Sequence, residues 1–223
     1  MFNYKGLDIK RFSHDCFLVT DGKVNIYFDP FRLRGDEPKA DYIFVSHEHY
    51  DHFSVDDIRK IIKNTTVLFM NKMTHKEIDS LLNNKVVIIE PGSNVDFNGM
   101  RIEGVPAYNI NKFREPGKVY HAKEDKKLGF IVTVNGVKIY HTGDTDDIPE
   151  MDNLASKNID ILFIPVSGTY VMTAAEAIEA ADKIKAGISI PMHYGAICGD
   201  KKQADDFKEG CKKRGLNAVI IEF

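Results

Sequence analysis

Ser46-His47-Glu48-His49-Tyr50-Asp51-His52 is the stretch on which the reading of this chain turns. Three histidines and an aspartate fall within six residues of a chain that holds eight histidines in all, which makes chance clustering a poor explanation. Imidazole nitrogens and carboxylate oxygens are preferred donors for zinc and related divalent ions. The stretch follows directly on the apolar run at residues 42–45, which reads as a β-strand. In an extended segment leaving that strand, His47 and His49 occupy alternate positions and face one side, toward one metal. Asp51 and His52 lie past the bend and are expected to face a second.

Two later segments have the same form, an apolar strand ending in a potential ligand. Lys138-Ile139-Tyr140-His141-Thr142-Gly143-Asp144 ends on an aspartate, and Ser189-Ile190-Pro191-Met192-His193 ends on a histidine. Alone, each is weak, because an aspartate at a strand end is usually a turn former and a lone histidine is usually surface or core. Beside the histidine cluster they gain weight, since a two-metal site needs a bridging carboxylate and more nitrogen donors than one loop supplies.

Around these anchors the chain reads as alternating short elements. Strands are expected at residues 24–28, 42–45, 66–69, 86–89, 129–134, 137–141, 161–165, 188–191 and 218–221. Asn135-Gly136 marks a tight hairpin. Ser54 caps a helix over 55–63, Thr74 opens one reaching about Leu82, Thr173 forms a capping box with Glu176 for a helix to Lys185, and a last helix over 201–214 stops at Gly215. Early hairpins followed by alternating strands and helices predict an α/β (α+β) fold, a single domain over 1–223 with a sheet core covered by helices. Residues 111–127 fit neither period. They read as a long polar loop, either a lid or binding loop or a mobile surface hairpin.

The 223 residues carry a formal charge of −3, so no overall basic field favours nucleic acid or an anionic membrane. The N-terminus lacks the basic and apolar pattern of a signal peptide, and no apolar run approaches the ~20 residues that span a bilayer. Three widely spaced cysteines, Cys16, Cys198 and Cys211, suggest a reducing compartment. The expectation is a cytoplasmic protein acting on a small molecule, with neither nucleic acid nor membrane as partner. Its oligomeric state is left open.

The chain resembles the metallo-β-lactamase superfamily. That superfamily's motif His-x-His-x-Asp-His is matched by His47, His49, Asp51 and His52, its strand-end aspartate by Asp144, its later histidine by His193, and its early strand-end aspartate by Asp29 in Tyr27-Phe28-Asp29-Pro30. Phe12-Ser13-His14-Asp15-Cys16-Phe17 is similar to the opening of a subgroup of compact hydrolases that includes ascorbate-6-phosphate lactonase and the N-acyl-phosphatidylethanolamine phospholipase D type. The resemblance implies a four-layer αβ/βα sandwich and two divalent ions, zinc foremost and manganese next, held by His47, His49, Asp51, His52, Asp144 and His193. It implies a water activated between the metals that cleaves a small ester, lactone or phosphoester. Asp144 would bridge the ions and Asp51 would orient the nucleophile. His14 and Asp29 would hold ligands or face substrate, although for Asp29 a turn-forming role before Pro30 is an equal alternative.

One position departs from the family. Where a further histidine ligand is normal, Val105-Pro106-Ala107-Tyr108-Asn109 offers Asn109. An amide oxygen is a weaker ligand for zinc than imidazole. The first metal is therefore expected to bind more loosely, to favour manganese, or to borrow a ligand. His121 is the candidate donor; otherwise it is an exposed loop histidine. On this reading Asn109→His would tighten zinc. The rival readings are a nuclease, which usually carries a basic arm or extra domain; a redox di-iron protein, which carries a glutamate at the position of His49; and a non-catalytic metal-binding protein, which Asn109 keeps open.

Overall fold

Short apolar runs punctuated by turn residues become strands wherever alternate or continuous burial rewards them. The computed structural model describes residues 1–78 and 83–223, which divide into two units: Met1–Glu90 with Ile221–Phe223, and Pro91–Ile220.

The first unit builds a seven-stranded sheet whose spatial order is its chain order: β1 (Phe2–Tyr4), β2 (Leu7–Ser13), β3 (Cys16–Thr20), β4 (Asn25–Phe28), β5 (Tyr42–Phe44), β6 (Val67–Met70) and β7 (Lys85–Ile88). β1 to β4 are joined antiparallel, and β4 to β7 run parallel. Phe28, Phe44 and Phe69 stand opposite one another in register on the three parallel strands β4, β5 and β6. Their rings stack with centroids 5.2 and 4.6 Å apart, a buried aromatic ladder that locks this register. It places the carboxyl ends of β4 and β5 side by side, and Asp29 and Ser46-His47 follow those two ends. Helix α1 (Val55–Ile61) starts at Ser54, whose hydroxyl accepts the Asp57 N–H as its sequence predicts, and buries Ile58 and Ile61. Helix α2 (Lys72–Ile78) starts two residues before the expected Thr74, because the Asn71 side chain accepts the Thr74 N–H at 2.8 Å and takes over the capping. Its expected end near Leu82 lies outside the described residues.

The second unit holds a six-stranded sheet formed by β8 (Asn94–Phe97), β9 (Met100–Pro106), β12 (Leu128–Val134), β13 (Val137–His141), β14 (Ile161–Pro165) and β15 (Ile188–Met192), in the order β15-β14-β13-β12-β9-β8. Asn135 and Gly136 both take positive φ, +50° and +79°, as a two-residue hairpin between β12 and β13 requires. β13, β14 and β15 are parallel, so their carboxyl ends point the same way and deliver Asp144, Ser167 and His193 to one edge. Helices α3 (Ala174–Ile184) and α4 (Lys201–Lys213) pack on each other through buried Ala177, Ala180, Ala181, Ala204, Phe207 and Cys211. The strand expected at 218–221 is reduced to a single bridge from Ala218 to Ser189, because only two backbone hydrogen bonds tie residues 217–219 to Ser189. The loop at 111–127 contains a small hairpin of its own, β10 (Phe113–Glu115) with β11 (Lys118–Val119).

The capping box of α3 forms as read from Thr173 and Glu176, and Glu176 gains a second partner in Lys112, 2.8 Å away. Burial alone would raise the Glu176 carboxyl. Lys112, the Thr173 N–H and hydroxyl, and Asn111 outweigh it and hold the group down at about 2. A carboxyl lowered on folding stabilises the protein above its unfolded value, and that contribution disappears as pH falls from there through about 2. Glu176→Gln should therefore cost about 1 kcal/mol near neutrality and flatten the acid limb of a plot of Tm against pH. A variant with an unchanged acid limb would show that the pair contributes nothing.

Candidate metal centre

In the first unit, the strand ends bring five polar side chains onto one network. Asp29 follows β4 in a left-handed conformation, φ +42°, which turns its carboxylate back toward β5. There it accepts the Ser46 N–H at 2.7 Å, the Ser46 hydroxyl at 2.6 Å and His52 Nδ1 at 2.8 Å. Ser46 Oγ lies 2.9 Å from His47 Nδ1.

These contacts determine which ring nitrogens carry hydrogen. A carboxylate only accepts, so His52 Nδ1 donates to Asp29 and the Ser46 hydroxyl spends its one proton on Asp29. Ser46 Oγ can then only accept from His47, whose Nδ1 must be protonated. In the neutral rings of both His47 and His52, Nε2 is left as the lone-pair nitrogen, the form that binds a metal. His47 Nε2 lies 3.0 Å from His49 Nδ1, and the His47 and His52 rings are 4.1 Å apart. The backbone N–H groups of His52 and Phe53 both bond to the His49 carbonyl, which makes the expected bend between the two pairs of donors. This donor set, imidazoles turned by acceptors behind them, suits a divalent cation.

His14 sits at the tight turn between β2 and β3, also at positive φ, +41°. The fully buried Arg11 donates to its carbonyl from Nε and Nη2, at 3.1 and 3.0 Å, and clamps the turn. His14 Nε2 then reaches Asp51 Oδ2 at 3.2 Å. Phe31 stands edge-on to His14, and the exposed Tyr50 edge-on to Phe31, so an apolar wall flanks this pair.

In the second unit, Asp144 is buried with two imidazoles on one oxygen: His193 Nε2 at 3.2 Å and His121 Nε2 at 3.4 Å. Ser167 Oγ lies 2.9 Å from His193 Nδ1 behind it. His121 is 1% exposed, which corrects its expectation as an exposed loop histidine. Residues 111–127 leave and return at a closed base, where the Asn109 N–H bonds to the His121 carbonyl at 2.8 Å and Tyr120 N–H to the Lys112 carbonyl at 3.0 Å. Asn109 is also buried, but its amide oxygen points at His121. Sequence reasoning overlooked Ser46, Ser167, Asp146 and Arg11. Only Ser46, adjacent to the histidine cluster, had a local signal.

Residues 8–193 match the model of the beta-lactamase superfamily domain. The chain belongs to the metallo-β-lactamase superfamily. This superfamily member is 31% identical to a UPF0173 metal-dependent hydrolase of Carboxydothermus hydrogenoformans, over 96% of the chain and 95% of that protein. It is 30% identical to one of Thermoplasma acidophilum over 98% and 96% of the two chains. The crystal structure of a candidate metal-dependent hydrolase from Parabacteroides distasonis superposes with a TM-score of 0.83 at 32% identity, covering 97% of this chain and 93% of that one. These relatives place the superfamily member among the metal-dependent hydrolases, with the mixed α/β metallo-β-lactamase fold. Among its described residues, no helix is long and apolar enough to cross a membrane.

Proposed function

We propose that the whole chain acts as a single hydrolase domain. In this reading His47, His49, Asp51, His52, Asp144 and His193, joined by His121, bind two divalent ions, zinc or manganese, and the substrate is a small ester, lactone or phosphoester. The observation that carries the reading is the Asp29–Ser46 network, which presents the Nε2 lone pairs of both His47 and His52. The two imidazoles on one Asp144 oxygen support a bridging role for that carboxylate. When bound, such ions lower the pKa of water toward neutrality and stabilise charge developing on the scissile oxygen.

The protein's own groups do the rest. Asp51, which is partly accessible, accepts the proton of the attacking water and returns it to the leaving group. His14 orients Asp51 through the 3.2 Å contact. The Phe31–Tyr50 wall favours a substrate with an apolar part beside the cleaved bond. Three unpaired cysteines fit a reducing, cytoplasmic setting.

The test is metal analysis of the purified protein with a screen of lactones, carboxylic esters and phosphoesters. His49→Ala and Asp51→Ala should stay folded, lose metal and lose turnover of whichever substrate responds. Turnover retained in either variant after metal depletion would place catalysis elsewhere.

A further inference from the structure

We propose that Asn109 is a positioning residue, which sets the tautomer of His121 and so decides which of its nitrogens can meet a metal. The proposal rests on the two-metal reading only for its consequence, not for its geometry. Asn109 Nδ2 donates to Asp146 Oδ1 at 3.3 Å and to the Tyr170 carbonyl at 3.0 Å. Both partners are pure acceptors. On its other side, Asn109 Oδ1 lies 2.9 Å from the His121 backbone N and 2.9 Å from His121 Nδ1. A flipped amide would set NH2 against the backbone N–H and oxygen against a carboxylate and a carbonyl, so chemistry permits one orientation only.

With that orientation settled, His121 Nδ1 faces an acceptor at 2.9 Å, a full hydrogen-bond length, whereas Nε2 faces the Asp144 carboxylate only at 3.4 Å, so the one proton of the neutral ring goes to Nδ1. Nε2 is then the lone-pair nitrogen, and it is the atom 3.4 Å from Asp144 Oδ2. The Ser167 hydroxyl behind His193 can donate or accept and imposes no such choice. The amide is itself pinned from Asp146, which also accepts the N–H groups of Ile110 at 2.6 Å and Asn111 at 2.9 Å and pairs with Lys112 at 3.3 Å. Asp146, Asn109 and His121 thus form a relay that ends on a metal-facing nitrogen. The residue that departs from the family pattern has become the support of the histidine that replaces it. This reverses the expectation for Asn109→His: an imidazole has one acceptor nitrogen and cannot reproduce the oxygen that meets both the His121 backbone N–H and Nδ1, so the substitution should weaken zinc rather than tighten it.

The experiment is nitrogen NMR of the full chain labelled in its histidines, in metal-free and zinc-loaded forms, combined with zinc titration by calorimetry. Wild-type His121 should be the Nδ1–H tautomer before any metal is added. Asn109→Ala should lose that preference, whereas Asn109→Asp, whose carboxylate still accepts, should keep it. Zinc at one of two sites should weaken about 10–100-fold in Asn109→Ala and in Asn109→His. An Nε2–H tautomer in the wild type, or an unchanged tautomer in folded Asn109→Ala, overturns the proposal. Should Asn109→Ala not fold, the wild-type tautomer and Asn109→Asp decide, and loss of the preference in Asn109→Asp counts against it. The expected tautomers with no zinc binding at all would leave the relay standing and sink the two-metal reading instead.

Discussion

Asp144→Ala should lose bound metal and, with it, at least about a thousandfold in turnover. No other residue of the second unit places one oxygen within 3.4 Å of two imidazole nitrogens, among the contacts of the described residues. If that oxygen bridges two ions, its removal takes a ligand from both, whereas removing any single histidine takes one from one. Several kcal/mol of charge stabilisation in the transition state depend on the ions, and 1.4 kcal/mol is tenfold in rate. The variant should still fold, because it loses a charged side chain rather than core volume. Metal content by mass spectrometry and kcat on the substrate found by screening are the measurements. Wild-type metal content in Asp144→Ala would exclude a bridging role.

Gly129→Ala is expected to destabilise the protein by about 3 kcal/mol, at the upper end for overpacking. Gly129 is the second residue of β12, beside the end of β13, and a Cβ there would lie 2.7 Å from the Thr142 carbonyl oxygen, 2.9 Å from Tyr140 Cε2 and 3.0 Å from the His141 carbonyl oxygen. Two of these atoms are backbone and the third belongs to a fully buried ring, so none can move aside cheaply. The strain falls on the segment that carries Asp144, two residues beyond Thr142. Urea denaturation should show a lower midpoint with an unchanged slope, and zinc affinity should fall as well. A variant as stable as the wild type would mean that the strand pair accommodates the methyl by sliding.

Much of the fold was legible because its signals are local. The parallel strands read as short apolar runs, the β12–β13 hairpin announced itself in Asn135-Gly136, and Ser54 and Thr173 marked helix starts. Strand β2 was passed over because it buries Arg11 and Ser13 at inward positions, which breaks its apolar alternation. The expected strand at 218–221 shrank for the opposite reason, since its apolar residues are present but its backbone pairing stops at the one bridge from Ala218 to Ser189.

The sequence by itself determined the superfamily and the donor types, since His47, His49, Asp51 and His52 fall within six residues and Asp144 and His193 each close an apolar strand. Tertiary structure alone decided how those donors are aimed. His52 takes its tautomer from Asp29, 23 residues away, and Asn109 takes its orientation from Asp146, 37 residues away. His121 is buried where its loop closes on Asn109. A hydrogen bond depends on distance and direction in space. No pattern along the chain encodes such a partner until the strands have brought their ends together.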